Sequence, residues 1–306
     1  GWEEDGRPLA DLFIFLLTQS ITNLDIAPLP LLLSVVVLAI AAVIITKNLF
    51  PREAVVQKCI LATPILVNPL FLNNLTFRFE CWIMSLAQLF AVCAALLYRN
   101  FGWKGKVCRV FFLIILLATY QASLNFYIAL CFLVLVLNIM RVGYIKKYFF
   151  DFLGDLCLIL LSFFVYKISV TPFIHFGQYA ATHNSLVKIN RSAVEIILKN
   201  IMKLMTSEWR QPVLSIVTCV GCACVVVFLP FNEKFQKIKN SRVLVILAII
   251  IFVFLAPGLC IFLSNPVFNA RIMLGFPVFL IFLFYLSMNS AWKKIGFSLI
   301  LLNLIS

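Results

Sequence analysis

The stretch VFFLIILLATYQASLNFYIALCFLVLVLNIM, Val110 to Met140, decides how this chain is read. It is interrupted near its middle by Tyr120, Gln121, Ser123 and Asn125. One crossing of a bilayer takes about 20 apolar residues. The run therefore reads either as one long tilted helix or as two short helices meeting at TYQASLN, residues 119–125. A single helix would reverse the side of every later loop, so the distribution of charge arbitrates.

With a break at TYQASLN, one set of loops carries Lys47, Arg52, Arg99, Lys104, Lys106, Arg109, Arg141, Lys146, Lys147, Lys234, Lys237, Lys239, Arg242, Lys293 and Lys294, most of the 25 Lys and Arg. The opposite set carries Arg7, Arg78, Lys188, Arg191, Lys199, Lys203, Arg210 and Arg271. By the positive-inside rule the first side is cytoplasmic. Glu3, Glu4, Asp5, Asp11, Asp25, Glu80, Glu195 and Glu208 then fall outside, where any chemistry is expected.

Spans are predicted at about Ile26–Ile45, Ala54–Leu72, Cys81–Tyr98, Val110–Thr119, Asn125–Met140, Phe150–Val170, Pro212–Pro230, Val243–Leu263 and Phe276–Asn289, with a tenth opening at Ile295. The fold class is thus an all-α polytopic membrane protein of about nine to ten transmembrane helices, in one domain over residues 1–306. PLADLFIFLLTQ, Pro8 to Gln19, is too short to span and reads as a re-entrant or interfacial helix. The long outside loop, residues 171–211, contains VEIILKNIMKL, whose Val194, Ile197, Leu198, Ile201 and Leu204 recur at helical spacing; this predicts an amphipathic helix at the membrane surface. The chain opens at Gly1 and closes inside the apolar IGFSLILLNLIS, and it reads as a piece of a longer protein at both ends.

Composition agrees. Hydrophobic residues make up 63% and charged ones 12%, against about 45–50% and about 25% in soluble domains. The net charge of +13 sits in short clusters between apolar runs, which is a topology signal and not a nucleic-acid stripe. Cys219, Cys222 and Cys224 are embedded in apolar sequence and lack the polar surroundings of a zinc site. His175 and His183 have no partner at ligand spacing, no DxD-type pair stands in an outward loop, and no metal or other cofactor is assigned.

Four outward elements combine charge with turns: GWEEDGRPLAD at the start, NPLFLNNLTFRFE at 68–80, TYQASLN at 119–125 and SNPVFNARIMLGFP at 264–277. All four are expected at one membrane face. Glu3, Glu4 and Asp5 offer a general base, and Arg7 can hold phosphate oxygens; an acidic surface loop is the plainer reading of the same residues. Arg78 and Glu80 stand at the edge of the following span, where Arg78 meets a lipid phosphate or pairs with Glu80, although interfacial arginines also snorkel to headgroups with no further role. Tyr120, Gln121 and Arg271 are polar groups at membrane depth, costly unless they serve helix contacts or a substrate path. Asp151, Asp155 and Lys167 share one span, but no second matched site accompanies them as a proton path would require. Asn74-Leu75-Thr76 and Asn190-Arg191-Ser192 match a glycosylation pattern that is common by chance.

The order of GWEEDGRPLADL, LFLNNLTFRFECWIMSLA, ATYQASLNFY and NARIMLGFPVF resembles the bacterial serotype-converting O-antigen glucosyltransferases, the Gtr family. The resemblance runs through most of the chain. It implies a GT-C-type enzyme of the bacterial inner membrane that transfers glucose from undecaprenyl phosphate glucose to O-antigen, with inversion, on the periplasmic side. Arg78, Arg271 or Arg7 would then meet the donor phosphate, and the base would be one of Glu3, Glu4 and Asp5 or a carboxylate ahead of the GW segment. A transporter or flippase of a lipid-linked sugar would need similar interfacial charges, but it predicts internal repeats that are not seen. A non-catalytic membrane scaffold is the third reading.

Overall fold

The computed structural model describes residues 2–20, 26–67, 69–77, 79–174, 177, 187, 193–207, 241–266 and 270–289. These are helical, with no β-strand among them. A 3₁₀ turn, Trp2–Asp5, leads into α1 (Pro8–Thr18), α2 (Leu29–Leu49), α3 (Val55–Leu66), α4 (Pro69–Leu75) and α5 (Cys81–Val92). Then come α6 (Gly102–Thr119), α7 (Ser123–Val142), α8 (Ile145–Ser169), α9 (Ala193–Ser207), α10 (Ser241–Leu255) and α11 (Phe276–Met288).

The long apolar run does break: α6 ends at Thr119 and α7 starts at Ser123, with Tyr120, Gln121 and Ala122 in the turn. Among the described residues three helices are long and apolar enough to cross a membrane, Leu29–Leu49, Ser123–Val142 and the α8 segment Ile145–Phe173. Five shorter apolar helices accompany them, α1 among them at 11 residues. The predicted span Ala54–Leu72 divides instead into α3 and α4. Pro64 inside α3 cannot donate to the ladder, and α3 ends two residues later. The spans predicted at Pro212–Pro230 and from Ile295 lie outside the described residues, as do Cys219, Cys222, Cys224, His175, His183 and the Asn190 motif.

A helix that is apolar all round belongs inside a bundle. α7 obeys this, with almost every side chain buried, and α11 is buried from Phe276 to Met288. Phe252 of α10 joins them, its ring 4.9 Å from Phe132 and 5.1 Å from Phe282. Around this centre α2 packs on α3 and α5, and α6 on α8. Leu32 and Val36 of α2, Leu160 and Phe164 of α8, and Leu247 and Ile250 of α10 face outward. Such surface is unfavourable in water and suits a lipid surround. Gly143 ends α7 in the left-handed region, φ 86°, and its N–H donates to the Ile139 carbonyl at 2.8 Å, so α8 can turn back directly.

Candidate functional site at one end of the bundle

The N-terminal segment is docked against the α6–α7 turn and the end of α8. The Gly6 carbonyl accepts hydrogen bonds from Tyr166 Oη and from Gln121 Nε2, the latter at 3.4 Å. The Gly177 N–H donates to the Glu4 carbonyl at 3.0 Å. This places the Arg7 guanidinium 5.1 Å from the centre of the Tyr120 ring, a cation–π geometry. Tyr120 is buried, and burial raises its phenol above the ordinary value; the charges of Arg7 and then Arg271 oppose that rise.

Arg271 arrives from the loop between α10 and α11, in the short 3₁₀ turn Ala270–Ile272. Its guanidinium lies 4.4 Å from the centre of the Phe77 ring, and its carbonyl accepts from Asn74 Nδ2 of α4 at 3.4 Å. Glu80, at the head of α5, lines a small recess with Tyr120, Thr119, Met84, Ile83 and Ala10. A small apolar recess lies further along α1, between Ile14, Leu17, Thr18, Ile26, Pro30, Phe79 and Trp82. Two guanidinium groups, a buried phenol and a carboxylate thus gather beside apolar surface.

All four polar elements predicted to share a face do meet at one end of the bundle. Arg7, Glu80, Tyr120 and Arg271 converge there, and Gln121 holds the N-terminal segment in place. Glu4 is exposed and Asp5 partly so. Arg78 and the side chain of Glu3 lie outside the described residues. Asn74, first residue of the glycosylation pattern, is fully buried.

Midway along α6 and α8 is a feature the sequence reading assigned otherwise. Arg109 was expected in a basic loop; α6 in fact begins at Gly102, and Arg109 is 5% exposed inside it. It turns inward because Asp155 of α8, 2% exposed, waits there. Arg109 Nη2 donates to Asp155 Oδ1 at 2.5 Å and to Tyr127 Oη at 2.9 Å, while Arg99 Nη2 donates to Asp155 Oδ2 at 2.7 Å. Arg109 Nε donates to the Ala94 carbonyl at 2.7 Å, where α5 continues as a π-helical turn, Cys93–Leu97. Asp151 and Lys167 are exposed, so the three residues weighed as a proton path do not form one. The cost of ionisable groups in apolar sequence was the available signal for an Arg109–Asp155 pair; the partner on another helix was not.

With this geometry in place, the class is a helical protein of the membrane type with a charged, aromatic-lined site at one end. The chain belongs to the glucosyl transferase GtrII family, which it matches over residues 1–282. It is also similar, at 25% identity over 203 residues, to an uncharacterized 55.3 kDa protein in the gtrB 5′ region of Salmonella phage P22. That match covers 66% of this chain and 41% of the phage protein, so the chain spans less than half the length of its relative. No solved structure matches.

Proposed function

We propose that this chain forms the transfer site of a GT-C-type enzyme with nine to ten spans in the bacterial inner membrane. The enzyme moves glucose from undecaprenyl phosphate glucose to O-antigen at the periplasmic face, which changes the serotype. The observation that carries this reading is the convergence of Arg7 and Arg271 on Tyr120, beside the Glu80 recess, in a chain of the GtrII family. A guanidinium presents planar N–H edges that match the spacing of phosphate oxygens.

The donor phosphate sits between Arg7 and Arg271, with Arg78 as a third contact, and the isoprenoid chain leaves along the apolar recess by Trp82. An acceptor hydroxyl attacks the anomeric carbon as the bond from that carbon to the phosphate oxygen breaks. The configuration inverts, undecaprenyl phosphate departs with its charge stabilised by the guanidinium groups, and a carboxylate takes the hydroxyl proton. Glu3, Glu4 and Asp5 are the proposed bases, and Gln121 orders the segment that carries them. Glu80 and Tyr120 line the sugar side.

Labelled glucose transfer in membranes carrying the full-length protein tests this. Arg271→Ala and Arg7→Ala should each lower transfer by about a hundredfold at equal expression, the size of losing one preorganised charge contact, and Glu3→Gln/Glu4→Gln should lower it comparably. Absence of transfer by the intact protein, with movement of the lipid-linked sugar across the bilayer, would establish a flippase instead.

A further inference from the structure

We infer that Asn125 is a positioning residue for Arg271, acting through the backbone of Pro257, Leu259 and Ile272; the inference rests on the phosphate role proposed for Arg271. Asn125 stands in the first turn of α7, 2% exposed, five residues after Tyr120. Its Nδ2 donates to the Pro257 carbonyl at 2.7 Å and to the Ile272 carbonyl at 3.4 Å, and its Oδ1 accepts the Leu259 N–H at 2.9 Å. One amide therefore satisfies backbone groups at both ends of the loop that presents Arg271. An amide suits this task because it donates and accepts from adjacent atoms.

The contact is too close to be incidental. Gly258 has φ +56°, and a Cβ there would lie 2.2 Å from Asn125 Oδ1. The loop is closed at its base by the Gly275 N–H, which donates to the Ala256 carbonyl at 3.1 Å. Asn200 of α9 holds its middle, donating to the Ile261 and Leu263 carbonyls at 2.9 Å each. Asn74 holds the Arg271 carbonyl itself. Of these three asparagines, Asn125 alone sits on the helix that continues the Tyr120 turn. It thereby fixes the Arg271 backbone relative to the ring that Arg7 covers.

Two readouts on the full-length chain test this. In detergent, trypsin should cleave after Arg271 about tenfold faster in Asn125→Leu than in wild type, with Tyr127→Phe, whose hydroxyl meets Arg109 and not this loop, unchanged. The factor is that expected for the loss of a buried hydrogen-bonded pair. In the transfer assay, Asn125→Leu should raise the KM for the lipid-phosphate donor more than it lowers kcat, and add little to Arg271→Ala, since residues acting through one another are non-additive. If Asn125→Leu does not accumulate, Asn125→Asp replaces it: the carboxylate still accepts from Leu259 but cannot donate to Pro257 or Ile272. Unchanged cleavage, or losses that multiply in the double variant, overturns the inference. Should Arg271→Ala transfer glucose normally, the phosphate role of Arg271 falls; cleavage then decides the positioning by itself, faster cleavage upholding it and an unchanged rate ending it.

Discussion

Asp155 takes hydrogen bonds from two guanidinium groups in the interior of the bundle, whereas at the end where the polar turns meet Arg7 and Arg271 each lie over an aromatic ring, Tyr120 and Phe77. The first arrangement is built around one buried carboxylate. Arg109 spends its donors on Asp155, Tyr127 and the Ala94 carbonyl, and ties α5, α6, α7 and α8 together. The second is held by neutral hydrogen bonds: Gln121 and Tyr166 to Gly6, and Asn125, Asn74 and Asn200 to the loop before α11. A charge paired with a buried carboxylate ties helices together; the charges placed over ring faces are the ones proposed above to meet the donor phosphate.

The sharpest way to break this comparison is Asp155→Ala. It leaves two guanidinium groups without their carboxylate and should cost about 3–5 kcal/mol, seen as loss of the folded, monodisperse protein on heating in detergent. Replacing Asp155 and Arg109 together by leucine should restore part of that loss, because an apolar pair of similar volume avoids desolvation; no recovery would mean that the ionic contact itself holds these helices. Gly258→Ala should follow at about 1–3 kcal/mol, since a side chain at φ +56° is strained and its Cβ meets Asn125. Arg271→Ala, despite its large expected effect on transfer, should shift thermal stability by about 1 kcal/mol, the size of one half-buried cation–π contact. Smallest is Tyr127→Phe, which removes one of several hydrogen bonds from Arg109 and should cost about 0.5 kcal/mol with transfer intact.

The same comparison explains what could be read in advance. The break at Tyr120–Ala122, the shortness of α1 and the amphipathic α9 were all legible, because each depends on the local order of polar and apolar residues. In α9 the pattern nonetheless concealed an orientation: Asn200 is buried on the loop, while Val194, Leu198 and Met202 are exposed. The gathering of the polar turns was expected from the alternation of predicted spans, and the contacts of Gln121, Asn74 and Asn125 bring those turns together. Arg109 was misplaced because Gly102, Trp103, Lys104 and Lys106 looked like a loop, and nothing local showed that the helix already ran through them.

From the sequence alone came the lipid-facing character of the chain, the helix break and the set of polar turns sharing an end, since hydrophobic periodicity and the cost of charge in lipid act along the chain. Only the tertiary structure decided that Asp155 closes on Arg99 and Arg109, that Arg7 faces Tyr120, and that Asn125 grips a loop more than a hundred residues away. Those are contacts between helices, and their partners are chosen by packing geometry, which no single segment encodes.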